Sequence, residues 1–358
     1  MVSLPKTAAS AVSTTVLTGA GLAARLPALE AYAGRGDRVP IGRHPGWLTV
    51  LERGLQHTAY AVEAKVDGQT VGYLPLAYVR SFLFGRFLVS LPYLNSGGVQ
   101  ADDESARHAL VDEAVRLADS LRVRYLELRH EAPTDHPCLT GKLTSKVHMR
   151  LALPSFAGPL WEGLPAKVRN QVRKGEKSGL TVQWGGRELL GEFYAVFSRN
   201  MRDLGTPVYG FGFFGSILAQ FPGSAELCVV RAGSEPAAAA LLLHGKGVSE
   251  VPSASCLREH NATCANMLMY WNLLDRAVQR GQSVFDFGRS TVDAGTYKFK
   301  KQWGAEPEPA TWQYYLRTGS TTEMRPDNPR YQRFIRIWQH LPVSLTRLIG
   351  PPIVRGIP

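Results

Sequence analysis

The sequence predicts an α/β (α+β) protein built from two successive units of one topology, and three observations carry that expectation. At 358 residues the chain is too long for one ordinary hydrophobic core and suits two domains of about 150 residues plus a tail. Its apolar periodicity switches repeatedly between the two-residue repeat of strands and the 3.6-residue repeat of helices. The order of those segments, two helices, a meander of strands, a loop, a helix and another strand, comes round twice without any residue-level repeat. The divisions expected are residues 1–150, 151–320 and 321–358.

In the first half, residues 14–18 read as a strand and 20–34 as an Ala/Leu helix. Trp47, Leu48, Leu51 and Leu55 share one face of a second helix over 44–56. Alternation over 58–79 with Asp67-Gly68 between two runs is a hairpin signal, since that turn demands positive φ. A strand at 87–91 leads through the loop Asn95-Ser96-Gly97-Gly98, read as a tight structural turn, to a helix over 102–121 and a strand at 125–129. In the second half, helices are expected at 164–178, 188–203 and 211–221, strands at 226–231, 237–244 and 247–254, a helix at 264–280 and a closing strand at 284–287. A further strand is expected at 311–316. Residues 331–348 read as one basic amphipathic helix whose apolar face either docks on the body of the protein or makes peripheral membrane contact.

Composition narrows the function classes. Lys and Arg number 41 against 30 Asp and Glu, a net charge of +11 that favours anionic partners such as phosphates, RNA, a lipid-linked phosphate or a membrane face. Nucleic-acid binding as the main activity is disfavoured, because no helix-turn-helix, RRM or KH signature is present. The four cysteines form no C-x-x-C pair and no zinc spacing, and Cys256, His260 and Cys264 fall in a loop entering a helix, so no metal is expected. A reduced, cytoplasmic protein, held at the inner face of the membrane if the last helix meets lipid, is the expected setting. No stretch has the length of a spanning helix, and Thr14, Thr15 and Thr18 interrupt the first apolar run.

Chemistry concentrates in residues 283–304, SVFDFGRSTVDAGTYKFKKQWG. A short apolar strand delivers Asp286 and Arg289 at its C-terminal end, and Tyr297, Lys298, Lys300, Lys301 and Trp303 follow at helical spacing. An acid and an arginine at a strand end, turning into a lysine-rich helix, form an anion-handling corner. Pairing of Asp286 with Arg289 and solvation of the lysines is the structural alternative. Asn200, Arg202 and Asp203 cluster at one helix end beside the same cleft, and Tyr209 either lines that cleft or packs in the core.

The segments FYAVFSRNMRDLGTPVYG at 193–210, LPYLNSGGV at 91–99, RNQVRKGEKSGL at 169–180 and DFGRSTVDAGTYKFKKQWG at 286–304 together resemble FemAB-related proteins, and more narrowly the branch associated with exosortase and exopolysaccharide loci. The resemblance spans residues 40–318. It implies two tandem GNAT-like (acyl-CoA N-acyltransferase-like) domains followed by a C-terminal helix, and transfer of an acyl or aminoacyl group to an amine of a cell-envelope or exopolysaccharide precursor. It further implies no metal and no tightly bound cofactor. The family's F-K-x-x-[FW]-G segment falls on 299–304, with Lys300 and Lys301 placed to hold a phosphate or a developing oxyanion, and Arg169 and Arg173 match the R-x-x-x-R-K element of that branch.

Amide formation needs an amine held near an activated carbonyl, a proton acceptor, and a positive group where negative charge develops. Asp286 is the expected base or orienting group, Lys300 the oxyanion partner and Tyr297 the proton shuttle. Arg169, Arg173, Asn200, Arg202, Asp203, Tyr209, Arg289, Lys301 and Trp303 are the expected substrate contacts. The chain has neither a long charged helical hairpin to serve as a tRNA arm nor an R/Q-x-x-G-x-G/A pyrophosphate loop. Aminoacyl-tRNA and acyl-CoA both stay open as donors, the acceptor is expected to be an anionic small-molecule or lipid-linked precursor, and a non-catalytic scaffold in a polysaccharide assembly complex is the reading from another class.

Overall fold

The computed structural model describes residues 11–82, 84–318 and 329–357. Strand β1 (Ser13–Thr18) runs into helix α1 (Gly19–Ala33), whose Leu22, Leu29 and Tyr32 turn inward. Helix α2 (Gly46–Leu55) buries Trp47, Leu48, Leu51 and Leu55 on the face that the 3.6-residue spacing dictates. Strands β2 (Thr58–Val66) and β3 (Gln69–Ser81) form the expected hairpin, with Asp67 and Gly68 at φ 49° and 78°. Strand β4 (Gly85–Val89), the two-residue β5 (Gln100–Ala101) and helix α3 (Glu104–Ser120) follow, α3 being capped by the Asp103 carboxylate on the Ala106 N–H. Strands β6 (Tyr125–His130) and β7 (Gly141–Leu143) close the first lobe.

The chain then lays down β8 (Lys146–Ala152), α4 (Ala157–Gly163), α5 (Ala166–Lys177), β9 (Leu180–Gly185), α6 (Leu190–Leu204), α7 (Phe211–Gln220), β10 (Ala225–Ala232), β11 (Glu235–His244) and β12 (Val248–Cys256). Helix α8 (Ala265–Gln279), β13 (Val284–Thr291), the short α9 (Gly295–Lys301), β14 (Glu306–Pro309) and β15 (Thr311–Leu316) follow, then α10 (Pro329–His340) and α11 (Val343–Val354). The order β1-α1-α2-β2-β3-β4-α3-β6 therefore recurs as β9-α6-α7-β10-β11-β12-α8-β13. Strand β9, absent from the sequence reading, completes the second unit; its Leu180, Val182 and Trp184 alternate but are enclosed between two strongly helical stretches.

Each unit contributes most of one sheet. The first has the order β1-β2-β3-β4-β6-β15-β7, with β5 beside β3, and the second β14-β8-β13-β12-β11-β10-β9. Two strands change sides. β8 leaves the first lobe to lie between β13 and β14, and β15 leaves the second to lie between β6 and β7. A division at 150/151 thus falls inside β8, and residues 311–316 belong to the first sheet.

A continuous apolar core joins the lobes, running from Leu29, Trp47 and Leu51 of α1 and α2 to Phe193, Phe197 and Phe214 of α6 and α7. Separate cores lie beneath α3 and beneath α8. The lobes share buried surface of the kind that fixes their relative position.

The single helix expected over 331–348 is two. Pro342 stands immediately before α11, and the ring of a proline disfavours helical backbone in the residue before it, so α10 ends at His340 and the chain turns. Both helices pack on α6. That docking was one of the two outcomes foreseen.

The Asn95–Gly98 loop is pressed onto β6. The N–H groups of Gly97 and Gly98 both donate to Arg129 O, at 3.1 and 3.0 Å, and a Cβ on Gly98 would stand 2.2 Å from His130 Cδ2. Gly98→Ala is expected to destabilise the protein by roughly 1–3 kcal/mol in denaturant unfolding through overpacking. Gly163→Ala, whose added methyl meets open space, is expected to leave the midpoint unchanged within error.

Candidate active site

Strands β12 and β13 are parallel and pair only over Val248–Val284, Ser249–Phe285 and Glu250–Asp286. Beyond that point β12 stays with β11 and β13 with β8. Glu250 and Asp286 therefore stand side by side where the second sheet opens. On β13 the ladder to β8 slips between Asp286 and Arg289, and Gly288 takes φ 77° in the bulge. The Asp286 Oδ1 accepts the Gly288 N–H at 2.6 Å, while the Lys300 ammonium donates to the carbonyls of Gly288 and Arg289 at 3.1 and 3.0 Å. Lys300 reaches inward from α9 and is buried, so it fastens the bulge from behind.

Arg150 of β8 ties this opening to the other lobe. Its Nε donates to Asp286 Oδ2 at 3.0 Å, one terminal nitrogen to Glu131 Oε1 at 2.9 Å, and the other to Glu308 Oε2 at 2.6 Å. Arg43 pairs with the second oxygen of Glu131 at 3.0 Å. Buried His148 stands 3.6 Å from Asp286 Oδ2.

Burial raises the Asp286 carboxyl, but His148 and Arg150 outweigh it and hold the group below its ordinary value. Burial would likewise raise Glu131, yet Arg43 and Arg150 bring it to about 2. Glu250 goes the other way. Burial and the neighbouring Asp286 charge raise it to about 8, against a long 3.4 Å bond from the Gly42 N–H and the charge of Arg150. Lys300 falls to about 8 through burial. Strongly shifted groups in one opening mark a candidate functional site.

The first lobe supplies the opposite wall. Both Arg289 and Arg129 stack on Trp312 of the exchanged strand β15, with guanidinium carbons 3.5 and 4.0 Å from its ring centroid. Arg129 is neutralised by Glu127 at 2.6 Å. Arg289 is not: its Nε donates to Asn95 Oδ1 at 3.3 Å, and among the described residues no carboxylate lies within 4.0 Å of it. Burial, then repulsion from Arg129, lowers it to about 9. A shielded cation without a counter-ion is a receptor for an anionic group.

Of the residues expected from sequence, Asp286, Arg289 and Lys300 come together here. Asn200 lies close by on α6 and donates to Ser255 Oγ, on the open stretch of β12, at 3.1 Å. Tyr297 is half-buried at the margin of the α8 core, and Lys301 points outward, 3.8 Å from Glu306. Trp303 is 1% exposed within that core and lines, with Leu153 and Leu160, a shallow apolar groove of about 370 Å³. Arg202 pairs with Asp203 and bonds Leu341 O, and the Asp203 carbonyl accepts from Arg258 and Gln339, so both residues moor the C-terminal helices. Tyr209 packs between Tyr93 and Phe213 at the junction of the lobes. Arg169 and Arg173 lie on α5, which packs on α8 and on β9, the edge strand farthest from the opening; Arg173 stacks on Trp161.

Glu250, Arg150, His148, Glu131 and Trp312 escaped the sequence reading as site residues. A signal existed for three of them. Glu250 is the one carboxylate in a strand of small and apolar residues, and His148 and Arg150 alternate with Met149 and Leu151 in β8. One group among the described residues, Asp112, His136 and Cys138, has donor atoms within 4.8 Å of one another. Its His136 is already engaged, Nδ1 accepting from the Cys138 N–H and Nε2 3.3 Å from Asp112.

Removal of Arg150 leaves Asp286 and Glu131 buried without their shared cation. Arg150→Met is expected to cost roughly 3–5 kcal/mol in denaturant unfolding, with Arg150→Lys recovering only part because a lysine cannot span three carboxylates. Glu131, depressed to about 2, contributes stability that is complete above its ordinary value of 4.5 and lost as pH falls through about 2. In Arg150→Met that loss is expected to begin at higher pH, as acid titration followed by circular dichroism would report.

Residues 165–301 match the family described as acetyltransferase (GNAT) domain, a span that contains β12, β13 and α9. No curated protein matches the chain. Among solved structures it is similar to FemX, at 15% identity and TM-score 0.63 over 87% of this chain and 98% of that one. It is similar also to a tandem GNAT protein from the clavulanic acid biosynthesis pathway, at 13% identity and TM-score 0.55 over 86% and 99%. A third is the C-terminal domain of a putative lysylphosphatidylglycerol synthetase from Agrobacterium fabrum, at 12% identity and TM-score 0.53 over 83% and 93%. The described chain has the fold of tandem GNAT proteins, and residues 165–301 of its second lobe match a GNAT domain family.

Proposed function

We propose that the protein transfers an acyl or aminoacyl group to an amine of an anionic cell-envelope or exopolysaccharide precursor, at the opening between β12 and β13. The observation that carries this reading is Glu250, a carboxyl raised to about 8 opposite Asp286 at the point where the two strands part, with Arg289, which has no carboxylate partner among the described residues, three residues farther along β13. The acceptor's anionic group binds Arg289, which places its amine near Glu250. The amine nitrogen attacks the donor carbonyl carbon, and the C–N bond forms as the C–O bond of an ester or C–S bond of a thioester breaks. The proton lost by nitrogen passes to the Glu250 carboxylate and from there to the departing oxygen or sulfur, so that an alcohol or thiol leaves and the carboxylate is regenerated. Burial and the Asp286 charge keep the Glu250 pKa high, and Lys300 holds the bulge that precedes Arg289.

Aminoacyl transfer is favoured by the likeness to FemX and to a protein named for making a lysyl-bearing phosphatidylglycerol. An acyl-CoA donor is the second reading, favoured by the match of residues 165–301 to an acetyltransferase family. Among the described residues no helix is long and apolar enough to cross a membrane, so a lipid-linked acceptor would be met at a membrane surface.

The test is amide formation, followed by mass spectrometry, on amine acceptors bearing a phosphate, with aminoacyl-tRNA and acyl-CoA offered separately. One donor is expected to support turnover whose kcat/KM rises with pH through about 8, since the base is the ionised carboxylate. Glu250→Gln is expected to lower kcat/KM roughly 10²–10⁴-fold and abolish that limb. In Asp286→Asn the limb is expected to move to lower pH, because the charge that raises Glu250 is gone. Absence of product with either donor, or an unaltered Glu250→Gln, rejects the reading.

A further inference from the structure

The C-terminal helices continue into the tip of the β3–β4 hairpin. A Cβ on Gly356 would lie 2.5 Å from Ser81 Oγ, and the Arg355 carbonyl accepts from Tyr93 OH at 2.6 Å, so α11 runs from α6 to that tip. Along the route the inward faces are accounted for. Ile335 of α10 lies against Gly205, and Thr346, Gly350 and Val354 of α11 are buried. The outward faces carry large apolar side chains in water: Phe334 is 72% exposed, Ile337 57%, Leu348 73%, and Phe82 of the hairpin is fully exposed. Single exposed apolar residues need no explanation, but four large ones on two consecutive helices and the hairpin that α11 reaches do.

Charge identifies what covers it. Arg80 and Arg86 stand directly opposite each other in the β3–β4 ladder, an arrangement that is destabilising by itself, and among the described residues neither has an acidic partner. Arg333 and Arg336 flank Phe334 and Ile337 on α10, also exposed and without an acidic partner there. Arginines unpaired with acids beside exposed Phe, Ile and Leu match a surface that offers both anionic headgroups and an apolar layer.

We infer that the face made by the hairpin tip, α10 and α11 docks the protein on an anionic lipid surface, with Phe82, Phe334 and Leu348 entering the acyl boundary and the arginines at headgroup level. The inference is independent of the transfer reaction.

Co-sedimentation of the full chain with phosphatidylcholine vesicles, with and without phosphatidylglycerol, tests it. The protein is expected to partition onto the phosphatidylglycerol vesicles alone and to be released by salt. Phe82→Ser/Phe334→Ser/Leu348→Ser and Arg80→Glu/Arg86→Glu are each expected to reduce partition roughly tenfold or more. Because every substituted side chain is exposed, thermal unfolding should be unchanged. Equal partition onto neutral vesicles, no partition of the unmodified protein, or partition that both variants retain overturns the inference. So does sedimentation velocity showing self-association that the same substitutions abolish without any vesicle binding, which would make this face a contact between copies of the chain.

Discussion

The bonds from the Arg150 guanidinium to Asp286, Glu131 and Glu308 are the constraint on which the site depends. They join three carboxylates that come from the closing strand of the second lobe, the end of the first lobe's β6, and β14 at the edge of the second sheet. Arg150 reaches all three because β8 has crossed between the lobes. In a low-dielectric setting such a network is favourable only while every member is satisfied, so the lobes are held in the one arrangement that satisfies it. The apolar core shared by α1, α2, α6 and α7 fixes the same arrangement from the other side.

That constraint divides the acids into two classes. Asp286 is held below its ordinary value by His148 and Arg150, and Glu131 by Arg43 and Arg150, while Glu250, paired with Asp286 across the ladder, is raised to about 8 by burial and by the Asp286 charge. A cation left over, Arg289, faces the same opening from a stack on Trp312. The corresponding pair of the first lobe, β4 and β6, is also parallel over three residues, but it has Val89 where the second lobe has Glu250, and Glu127, where the second lobe has Asp286, is paired with Arg129.

Much of the fold was legible in the sequence because local signals agreed with the global arrangement. Asp67-Gly68 could hardly be other than a hairpin turn, and the apolar faces of α2, α6 and α8 are clean helical stripes. The duplicated order was visible too, although β9 was lost between helices. The site was legible only where the chain is locally dense in chemistry, around Asp286, Arg289 and Lys300. Strand exchange is a long-range event with no local signature, so nothing near Arg150 announced that it would meet Asp286, 136 residues away. Arg202 and Asp203 read as substrate contacts for the converse reason: a polar helix end looks the same whether it meets a ligand or, as here, the carbonyls and side chains of the C-terminal helices.

The central claim is that donor and acceptor meet where β12 and β13 part, and hydrogen–deuterium exchange with and without a bound donor tests it most directly. Slowed exchange over residues 250–256 and 286–291, together with the loop at 94–98 that holds Arg289 from the first lobe, is the predicted result. Protection confined elsewhere, as along the apolar groove at 151–164, would contradict the account.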